Sequence, residues 1–339
     1  MSVVSVRDVA LRAGVSVGTV SNVMNHPEKV SADAVARVQA AINELGFIRN
    51  DAARQLRIGR STTIGLVVLD VRNPFFTDLA RGAEDRAASE GLSVLLANSD
   101  EAPGREATHL DLFEQQRVYG LLVSPVGEIS DRLAALRERG IPAVLVDRSS
   151  TDDRFSSVAV DDVAGGRMAV EHLIAQGRRR IAFIGGPLGI RQVSDRLQGA
   201  RLAVAAVPDA RLEVITIPAL TVLEGRAAGA MLVQRAPADR PDAVFAANDL
   251  VSVGLLQALM MQGAGMTVPG DVAIIGYDDI DFASAAIVPL SSIRQPSELI
   301  GRTAVEILVQ EAEDPQLPPR QVEFQPELVV RASTHGWDN

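Results

Sequence analysis

The chain has 339 residues, of which 47% are hydrophobic and none is cysteine, and its net charge is −10. This length predicts two or three domains, and the lack of cysteine excludes disulfides, thiolate metal sites and a cysteine nucleophile. Because no run of 18 apolar residues is present and the N-terminus lacks the features of a signal peptide, we expect a cytoplasmic protein with no membrane partner.

Charge is distributed unevenly along the chain. Residues 1–60 hold eight basic and five acidic residues, whereas the rest holds 25 basic and 38 acidic residues. A basic N-terminal segment followed by an acidic remainder of the chain indicates that only the N-terminal segment binds an anionic partner. The first 60 residues are therefore the place to look for nucleic-acid binding.

The N-terminal segment predicts three short helices. Ser5, Ser16 and Ser31 can each cap the start of one helix. Gly14 fits a tight turn between the first two helices, and Gly46 fits the end of the third. Two helices joined by such a turn form a helix-turn-helix, whose second helix enters the major groove of DNA by its N-terminal end.

The second predicted helix carries the candidate DNA-reading residues. Thr19 and Ser21 can hydrogen-bond phosphates, and Asn22 can pair with an adenine edge. The residues predicted to contact DNA here are Ser16, Val17, Gly18, Thr19, Ser21, Asn22 and His26. The alternative is a short polar helix that is exposed only to solvent. The caps, the turn glycine and the apolar spacing together indicate a helix-turn-helix, which favours DNA binding.

The motifs VRDVA (6–10) and AGVSVGTVSNVMN (13–25) closely resemble the N-terminus of LacI/GalR-type transcriptional regulators. The resemblance implies a DNA-binding domain at 1–49 and a hinge helix and linker at 50–60. In that family a hinge leucine wedges into the minor groove at the centre of a palindromic operator, and such wedges kink the duplex. The matching hinge residues here are Asn50, Ala53, Leu56 and Arg57. Arg49 stands where the family usually has proline.

From residue 61 onward, short apolar runs alternate with amphipathic helices. The predicted strands are 64–69, 92–97, 120–124, 142–146, 181–184, 214–217, 243–246 and 272–275. The predicted helices are 75–88, 105–117, 131–139, 163–175, 195–207, 226–234, 251–261 and 296–311, before an extended stretch at 322–331. This alternation, which restarts near residue 161, predicts two doubly wound α/β lobes with parallel sheets behind an all-α head.

Two such lobes resemble the type I periplasmic sugar-binding protein fold, which this family uses as its sensor. The resemblance implies that the chain returns to the first lobe near residues 291–295 and leaves it again near residue 320. We therefore expect sensor lobe 1 to comprise 61–161 and 292–320, and sensor lobe 2 to comprise 162–291 and 321–339.

Ligands of open α/β sheets bind beyond the carboxyl ends of the strands, and between the lobes where there are two. The residues that follow the predicted strands offer hydroxyl partners, arginine fork donors and flat aromatic faces, a combination that suits a sugar. The set resembles the pocket of ribose-binding proteins. The candidate effector-binding residues are Asn73, Phe75, Phe76, Asp147, Arg148, Arg196, Leu220, Asn248, Asp278 and Gln295. Leu220 stands where the family often has an aromatic residue, which weakens the case for a flat purine.

These features predict a ligand-responsive repressor that binds double-stranded DNA at a palindromic operator as a homodimer and is released by a small, ribose-like sugar. One alternative with the same fold is a regulator whose nucleobase, nucleoside or co-repressor tightens DNA binding, and another is a pure solute-binding protein. An enzyme is disfavoured because the chain lacks a phosphate-binding Gly-Lys-Ser/Thr loop and metal-spaced histidines. We expect no cofactor and no metal.

Overall fold

A computed structural model describes residues 4–47, 61–150, 152–261 and 266–335. The chain divides into two compact units, Met1–Arg60 and Ser61–Asn339. The predicted hinge residues lie outside the described residues: Asn50, Ala53, Leu56 and Arg57. Among the residues that are described, no helix has the length and apolar character needed to cross a bilayer.

The described part of the first unit, residues 4–47, contains three helices with the predicted caps. They are α1 (Val6–Ala13), α2 (Val17–Asn25) and α3 (Ala32–Leu45), with a 3-10 turn at Pro27–Lys29. The hydroxyls of Ser5, Ser16 and Ser31 each accept a hydrogen bond from the backbone N–H three residues later. Gly14 and Gly46 end α1 and α3 with φ of 65° and 61°, the left-handed conformation that favours glycine.

One valine from each helix forms the centre of this unit. Val9, Val20 and Val38 are fully buried, and alanines of α1 and α3 pack around them. The shared core fixes α2 against the two other helices, so its opposite face is exposed to solvent.

The second unit contains the alternating elements predicted for the two lobes. Its strands are β1 (Thr63–Val68), β2 (Ser93–Asn98), β3 (Gly120–Val123), β4 (Ala143–Val146), β5 (Ser156–Val160), β6 (Arg180–Gly185), β7 (Arg211–Thr216), β8 (Ala243–Ala246), β9 (Ala273–Asp278), β10 (Ser291–Arg294), β11 (Gln321–Phe324) and β12 (Glu327–Val329). Its helices are α4 (Pro74–Ser89), α5 (Pro103–Gln115), α6 (Ser130–Glu138), α7 (Asp162–Ala175), α8 (Arg191–Ala205), α9 (Val222–Gln234), α10 (Asp249–Met261), α11 (Asp281–Ser284), α12 (Ser297–Glu313) and α13 (Ala332–His335), with a 3-10 turn at Pro237–Asp239.

The strands form two six-stranded sheets, one in each lobe. The first has the order β11-β5-β4-β3-β1-β2 and the second β12-β10-β9-β8-β6-β7. Among the strands in the described ranges, all neighbours are parallel except β10 and β12. Parallel pairing brings the carboxyl ends of the strands to one edge of each sheet, where the loops can build a ligand site.

Two of the three crossings between the lobes differ from their expected boundaries, whereas the first, near residue 161, lies between β5 of the first sheet and β6 of the second as expected. β10 pairs with β9 in the second sheet, so the chain enters the first lobe after residue 294 and not at 292. β11 pairs with β5 in the first sheet, so residues 321–324 belong to the first lobe and their assignment to the second was wrong. Val322 and Phe324 pack against the buried core there, which holds the strand in the first lobe.

Glycines bring α7 and α8 into close contact. A Cβ atom on Gly199 would lie 2.0 Å from the carbonyl oxygen of Val163, and one on Gly166 would lie 2.0 Å from the carbonyl oxygen of Arg196. The helices therefore pack backbone against backbone. Because α8 carries Arg196, this contact fixes the position of the Arg196 side chain in the second lobe.

Candidate effector cleft and DNA-reading helix

A cleft of about 440 Å³, counted with its open mouth, lies between the two lobes. Residues at or beyond the carboxyl ends of strands in both sheets contribute to its walls. They are Leu69, Asp70, Asn73, Phe75, Phe76, Glu101, Asp147, Ile190, Gln192, Val193, Arg196, Leu220, Asn248 and Asp278. All the candidate effector residues except Arg148 and Gln295 therefore meet at this cleft.

Two amide side chains hold Asp278, at the end of β9. Its Oδ2 accepts a 2.8 Å hydrogen bond from Asn73 Nδ2 of the first lobe, and its Oδ1 accepts one of 2.8 Å from Gln295 Nε2. Asn73 also caps α4, because its Oδ1 accepts a hydrogen bond from the N–H of Phe75. Gln295 thus supports Asp278 from outside the cleft wall.

Arg196 presents a fixed guanidinium to the cleft. Its Nε donates to Asp162 Oδ1 at 2.8 Å, and its Nη1 donates to the carbonyl of Ala247 at 2.8 Å. Its Cζ lies 3.7 Å from the centre of the Tyr277 ring, a cation–π contact. Its Nη2 lies 3.9 Å from Asp278 Oδ1, beyond hydrogen-bond distance, so this group can donate to a ligand oxygen in the cleft.

Asp147, which follows β4, forms the second connection across the cleft. Gln192 Nε2, from the second lobe, donates to the Asp147 carbonyl at 2.6 Å and to its Oδ2 at 2.9 Å. Asp147 and Asp278 have φ of 57° and 101°, uncommon values for residues other than glycine. Backbone strain of this kind concentrates at functional sites, where the surrounding structure holds it.

Burial dominates the electrostatics of these two carboxyl groups. Burial, reinforced by the charge of Asp162, raises the pKa of Asp147 well above its usual value. Burial also raises the pKa of Asp278, although the nearby Arg196 charge opposes it. Ligand groups that hydrogen-bond these oxygens would replace the solvation they have lost, and sugar hydroxyls can do so.

The apolar wall comes from the start of α4 and from the second lobe. Phe75 and Phe76 are 3% and 5% exposed, with ring centres 5.0 Å apart in an edge-on arrangement. They belong to the core of the first lobe and also line the cleft. Leu220 lies at the cleft, so the second lobe offers an aliphatic surface at that position. Asn248 caps α10, because its Oδ1 accepts a hydrogen bond from the N–H of Val251.

Arg148 does not line the cleft, contrary to the sequence-based expectation. Its Nη1 donates to the carbonyl of Gly127 at 2.7 Å, and its Nη2 forms an ion pair with Glu128. The strand-end rule predicts that the residues after β4 lie near the cleft, but it does not fix the direction of each side chain, and left-handed geometry at Asp147 turns the backbone there.

The cleft residues that are absent from the candidate set are Leu69, Asp70, Glu101, Ile190, Gln192 and Val193. Gln192 precedes Arg196 by four residues on α8, so helical spacing places both on one face and could have revealed it. Glu101 follows β2 and would have been found by applying the strand-end rule to that strand as well.

The exposed face of α2 carries most of the predicted DNA contacts. Ser16, Val17, Gly18, Asn22 and His26 are exposed, whereas Thr19 and Ser21 are half-buried. Val17, an apolar residue, is 47% exposed. An exposed apolar side chain at the start of a helix is available for contact with a thymine methyl group.

Ser16 has a structural role at the start of α2. Residues 14–18 read GVSVG, which matches the Gly-x-Ser-x-Gly pattern of hydrolases, but that pattern requires a strand-to-helix turn. Here the turn connects two helices, and the Ser16 hydroxyl accepts the N–H of Thr19 at 3.0 Å. The geometry is that of a helix cap.

A helix-turn-helix unit and a two-lobed α/β unit with an interlobe cleft together define a ligand-responsive DNA-binding regulator. The model of bacterial regulatory proteins of the lacI family matches residues 5–50, and that of the periplasmic binding protein-like domain matches residues 170–334.

Relatives and solved structures agree with this class over nearly the whole chain. The ribose operon repressor of Escherichia coli (strain K12) is 34% identical over 340 residues, covering 97% of this chain and 99% of the relative. The transcriptional repressor PurR of Photobacterium profundum is 32% identical, covering 97% and 98%. A lac repressor dimer bound to operator and the anti-inducer ONPF is 28% identical, with a TM-score of 0.81 and coverage of 98% and 99%. The chain belongs to the lacI family of bacterial transcriptional regulators.

Proposed function

We propose that this protein is a repressor that a small sugar, most simply a ribose-like pentose, releases from its operator. The observation that carries the proposal is the pair of buried carboxyl groups, Asp147 and Asp278, which come from opposite lobes and meet the guanidinium of Arg196 at one cleft. A polyol can donate to both carboxyl groups and accept from the arginine, whereas apolar ring faces suit Phe75 and Phe76.

The relatives support a sugar effector, and they also point to the main alternative, a purine effector. The ribose operon repressor supports a pentose, whereas PurR supports a purine-responsive regulator of the same fold. Leu220 favours the sugar, because an aliphatic side chain offers no flat face for stacking on a base. Asp147 and Asp278 disfavour a phosphorylated ligand, because the carboxylate form of either group would repel the phosphate in a buried site.

DNA recognition is assigned to α2 and to the hinge segment. We assign base and phosphate contacts to the exposed N-terminal end of α2, and a minor-groove wedge to Leu56 flanked by Asn50, Ala53 and Arg57. A palindromic operator requires a protein with matching two-fold symmetry, hence a homodimer. In this proposal, sugar binding closes the two lobes on each other and rotates the first lobes of the two protomers relative to one another. The hinge helices then separate and unfold.

The cellular setting and the absence of catalysis follow from this role. A repressor meets operator DNA in the bacterial cytoplasm, so we place the protein there. The cleft binds and releases its effector unchanged, and the serine of the GVSVG segment serves as the cap of α2. Turnover of an added sugar would contradict this part of the proposal.

Thermal-shift screening of the full chain tests the effector class. Ribose-like pentoses, hexoses, nucleosides and purine bases are added separately, and the melting temperature of the sensor unit is measured. A ligand at 100 times its Kd stabilises the folded state by about 2.7 kcal/mol, so ribose-like pentoses should raise the melting temperature by several degrees. A response to purines alone would reject the sugar assignment.

A further inference from the structure

Glu101 lies at the cleft with its side chain half-buried. It follows β2 in the first lobe, and its N–H donates a 3.1 Å hydrogen bond to the carbonyl of Leu69. Asp100 and Glu101 both have left-handed backbone geometry, with φ of 54° and 56°. The loop is therefore tied to the end of β1, which holds the Glu101 carboxyl group at the mouth of the cleft.

The arginines near Glu101 are already paired with other carboxylates. Arg72 donates from Nε to Asp70 Oδ1 at 2.8 Å and from Nη2 to Asp100 Oδ1 at 2.8 Å. Arg105 donates to Asp100 Oδ2 at 3.0 Å. Within the described parts of the chain, the Glu101 carboxyl group makes no hydrogen bond or ion pair. The charged groups that face it are Asp70, Arg72 and Asp100.

This environment disfavours the charged form of Glu101. Burial and then the charge of Asp70 raise the pKa of Glu101 to about 7, while Arg72 acts in the opposite direction. Near neutral pH the group therefore exists as both acid and carboxylate. An ionisable group that is half-buried, has no hydrogen-bond partner and lines a cleft is a candidate for ligand contact.

We propose that Glu101 is a further effector-binding residue, whose carboxylate accepts a hydrogen bond from a hydroxyl group of the bound sugar. This inference rests on the proposed function, in which the effector is a polyol. Asp147 and Asp278 already accept hydrogen bonds from Gln192 and Asn73, so Glu101 is the cleft carboxyl group with the most free acceptor capacity. Hydrogen bonds to an ionised acceptor are roughly twice as strong as neutral ones.

Ionisation of Glu101 should make the affinity for ribose depend on pH. If only the carboxylate form accepts the hydroxyl, apparent affinity scales with the ionised fraction of Glu101. With a pKa of about 7, that fraction is roughly one in eleven at pH 6 and roughly ten in eleven at pH 8. Ribose should therefore bind about tenfold more tightly at pH 8 than at pH 6, and binding should release a proton near pH 7.

Isothermal titration of the full chain with ribose at pH 6, 7 and 8 tests this assignment. The wild type and Glu101→Gln are compared with Glu313→Gln, an exposed position at the end of α12 that serves as the matched control. We expect the wild type and the control to gain about tenfold in affinity from pH 6 to pH 8. We expect Glu101→Gln to bind several-fold more weakly than the wild type at pH 8 and to lose most of this pH dependence. Measuring in two buffers of different ionisation enthalpy reports the released proton directly.

The outcomes separate this inference from the function on which it rests. If the wild type binds ribose and Glu101→Gln shows the same affinity and pH profile, Glu101 does not contact the sugar, although the sugar assignment stands. If the wild type binds no ribose at any pH, the proposed effector and this inference fail together. Thermal melting of Glu101→Gln at pH 5 checks its fold, because glutamine mimics the protonated acid that predominates there.

Discussion

Asn73 of the first lobe donates a 2.8 Å hydrogen bond to Asp278 of the second lobe, and this contact joins the two walls of the cleft. Asn73 follows β1 and Asp278 ends β9, so the contact depends on both sheets presenting their carboxyl ends to the same space. A side chain that caps α4 with one atom and binds the opposite lobe with another couples the cleft to the position of that helix.

Changing Asn73 to aspartate should weaken effector binding by tenfold or more. The cap of α4 survives, because a carboxylate also accepts the N–H of Phe75. The donor to Asp278 is lost, and the two neighbouring carboxyl groups in a buried site then disfavour each other's charged form. Isothermal titration with ribose measures the effect. Asn73→Ser, which keeps the cap of α4 without adding charge, should lose less ribose affinity. Equal ribose binding by the wild type and Asn73→Asp would contradict the importance of the hydrogen bond from Asn73 to Asp278.

Changing Arg196 to glutamine should strongly destabilise the sensor unit. The Arg196 side chain is 5% exposed and is the nearest cation to Asp162 and Asp278, so its loss leaves buried carboxyl groups without a counter-charge. Breaking a buried pair in this way costs about 3–5 kcal/mol. Urea unfolding measures it, with Arg191→Gln on the same helix as control. Arg191 pairs with Asp195 near the surface, and its loss should cost less than about 1 kcal/mol.

Close packing of α7 and α8 predicts that a larger residue at Gly199 lowers both stability and ribose affinity. Gly199→Ala places a methyl group 2.0 Å from the carbonyl oxygen of Val163, so one helix must move. Overpacking of this kind costs about 1–3 kcal/mol, and the shift of α8 should also reduce ribose affinity because Arg196 moves with it. Gly189→Ala, in the loop before α8, meets no atom within 4 Å and should change neither property. Unchanged stability of Gly199→Ala would show that the helices are not tightly packed.

Periodicity and caps made much of the fold predictable from the sequence. The serine caps and apolar spacing identified α1, α2 and α3, and continuous apolar runs identified most strands. β5 was missed, because its sequence SSVAV begins with two serines that are buried through hydrogen bonds and not through apolar character. The extended stretch 322–331 proved to be two strands that join different sheets, a distinction that depends on long-range pairing.

The candidate site was predictable to the extent that strand ends locate it. Asn73, Asp147 and Asp278 were found because each lies at or just beyond the carboxyl end of a strand. Arg148 was misplaced because the strand-end rule locates the loop after β4 but does not fix which of its side chains faces the cleft. Interlobe contacts, such as that between Gln192 and Asp147, depend on how two sheets meet, which no local pattern in the sequence records.

His172 predicts a pH effect on stability that is separate from the cleft. Its Nε2 lies 2.8 Å from Thr334 Oγ1, connecting α7 to α13. Burial, followed by the charge of His335, lowers the pKa of His172 below its usual value of 6.5. The folded state therefore favours the neutral ring, so its contribution to stability is present above pH 6.5 and is lost as the pH falls below that value.

Urea unfolding of the wild type and His172→Gln between pH 8 and pH 5 tests this effect. Glutamine keeps a hydrogen-bonding group near Thr334 but does not titrate. The free energy of unfolding of the wild type should fall more steeply below pH 6.5 than that of the variant, whereas above that pH the difference between the two proteins should stay constant. Parallel curves over the whole range would show that His172 has the same pKa in the folded and unfolded states.

The most direct test of ligand-controlled repression is operator affinity with and without sugar. Fluorescence anisotropy is measured for the full chain on a labelled palindromic duplex recovered from a random-sequence DNA pool, at zero and at saturating ribose, with Asn22→Ala as a control for specific binding. Allosteric coupling of about 1–3 kcal/mol predicts that ribose weakens DNA binding by about 5–150-fold. Equal affinity in the two conditions, or tighter binding with ribose, would contradict release by sugar.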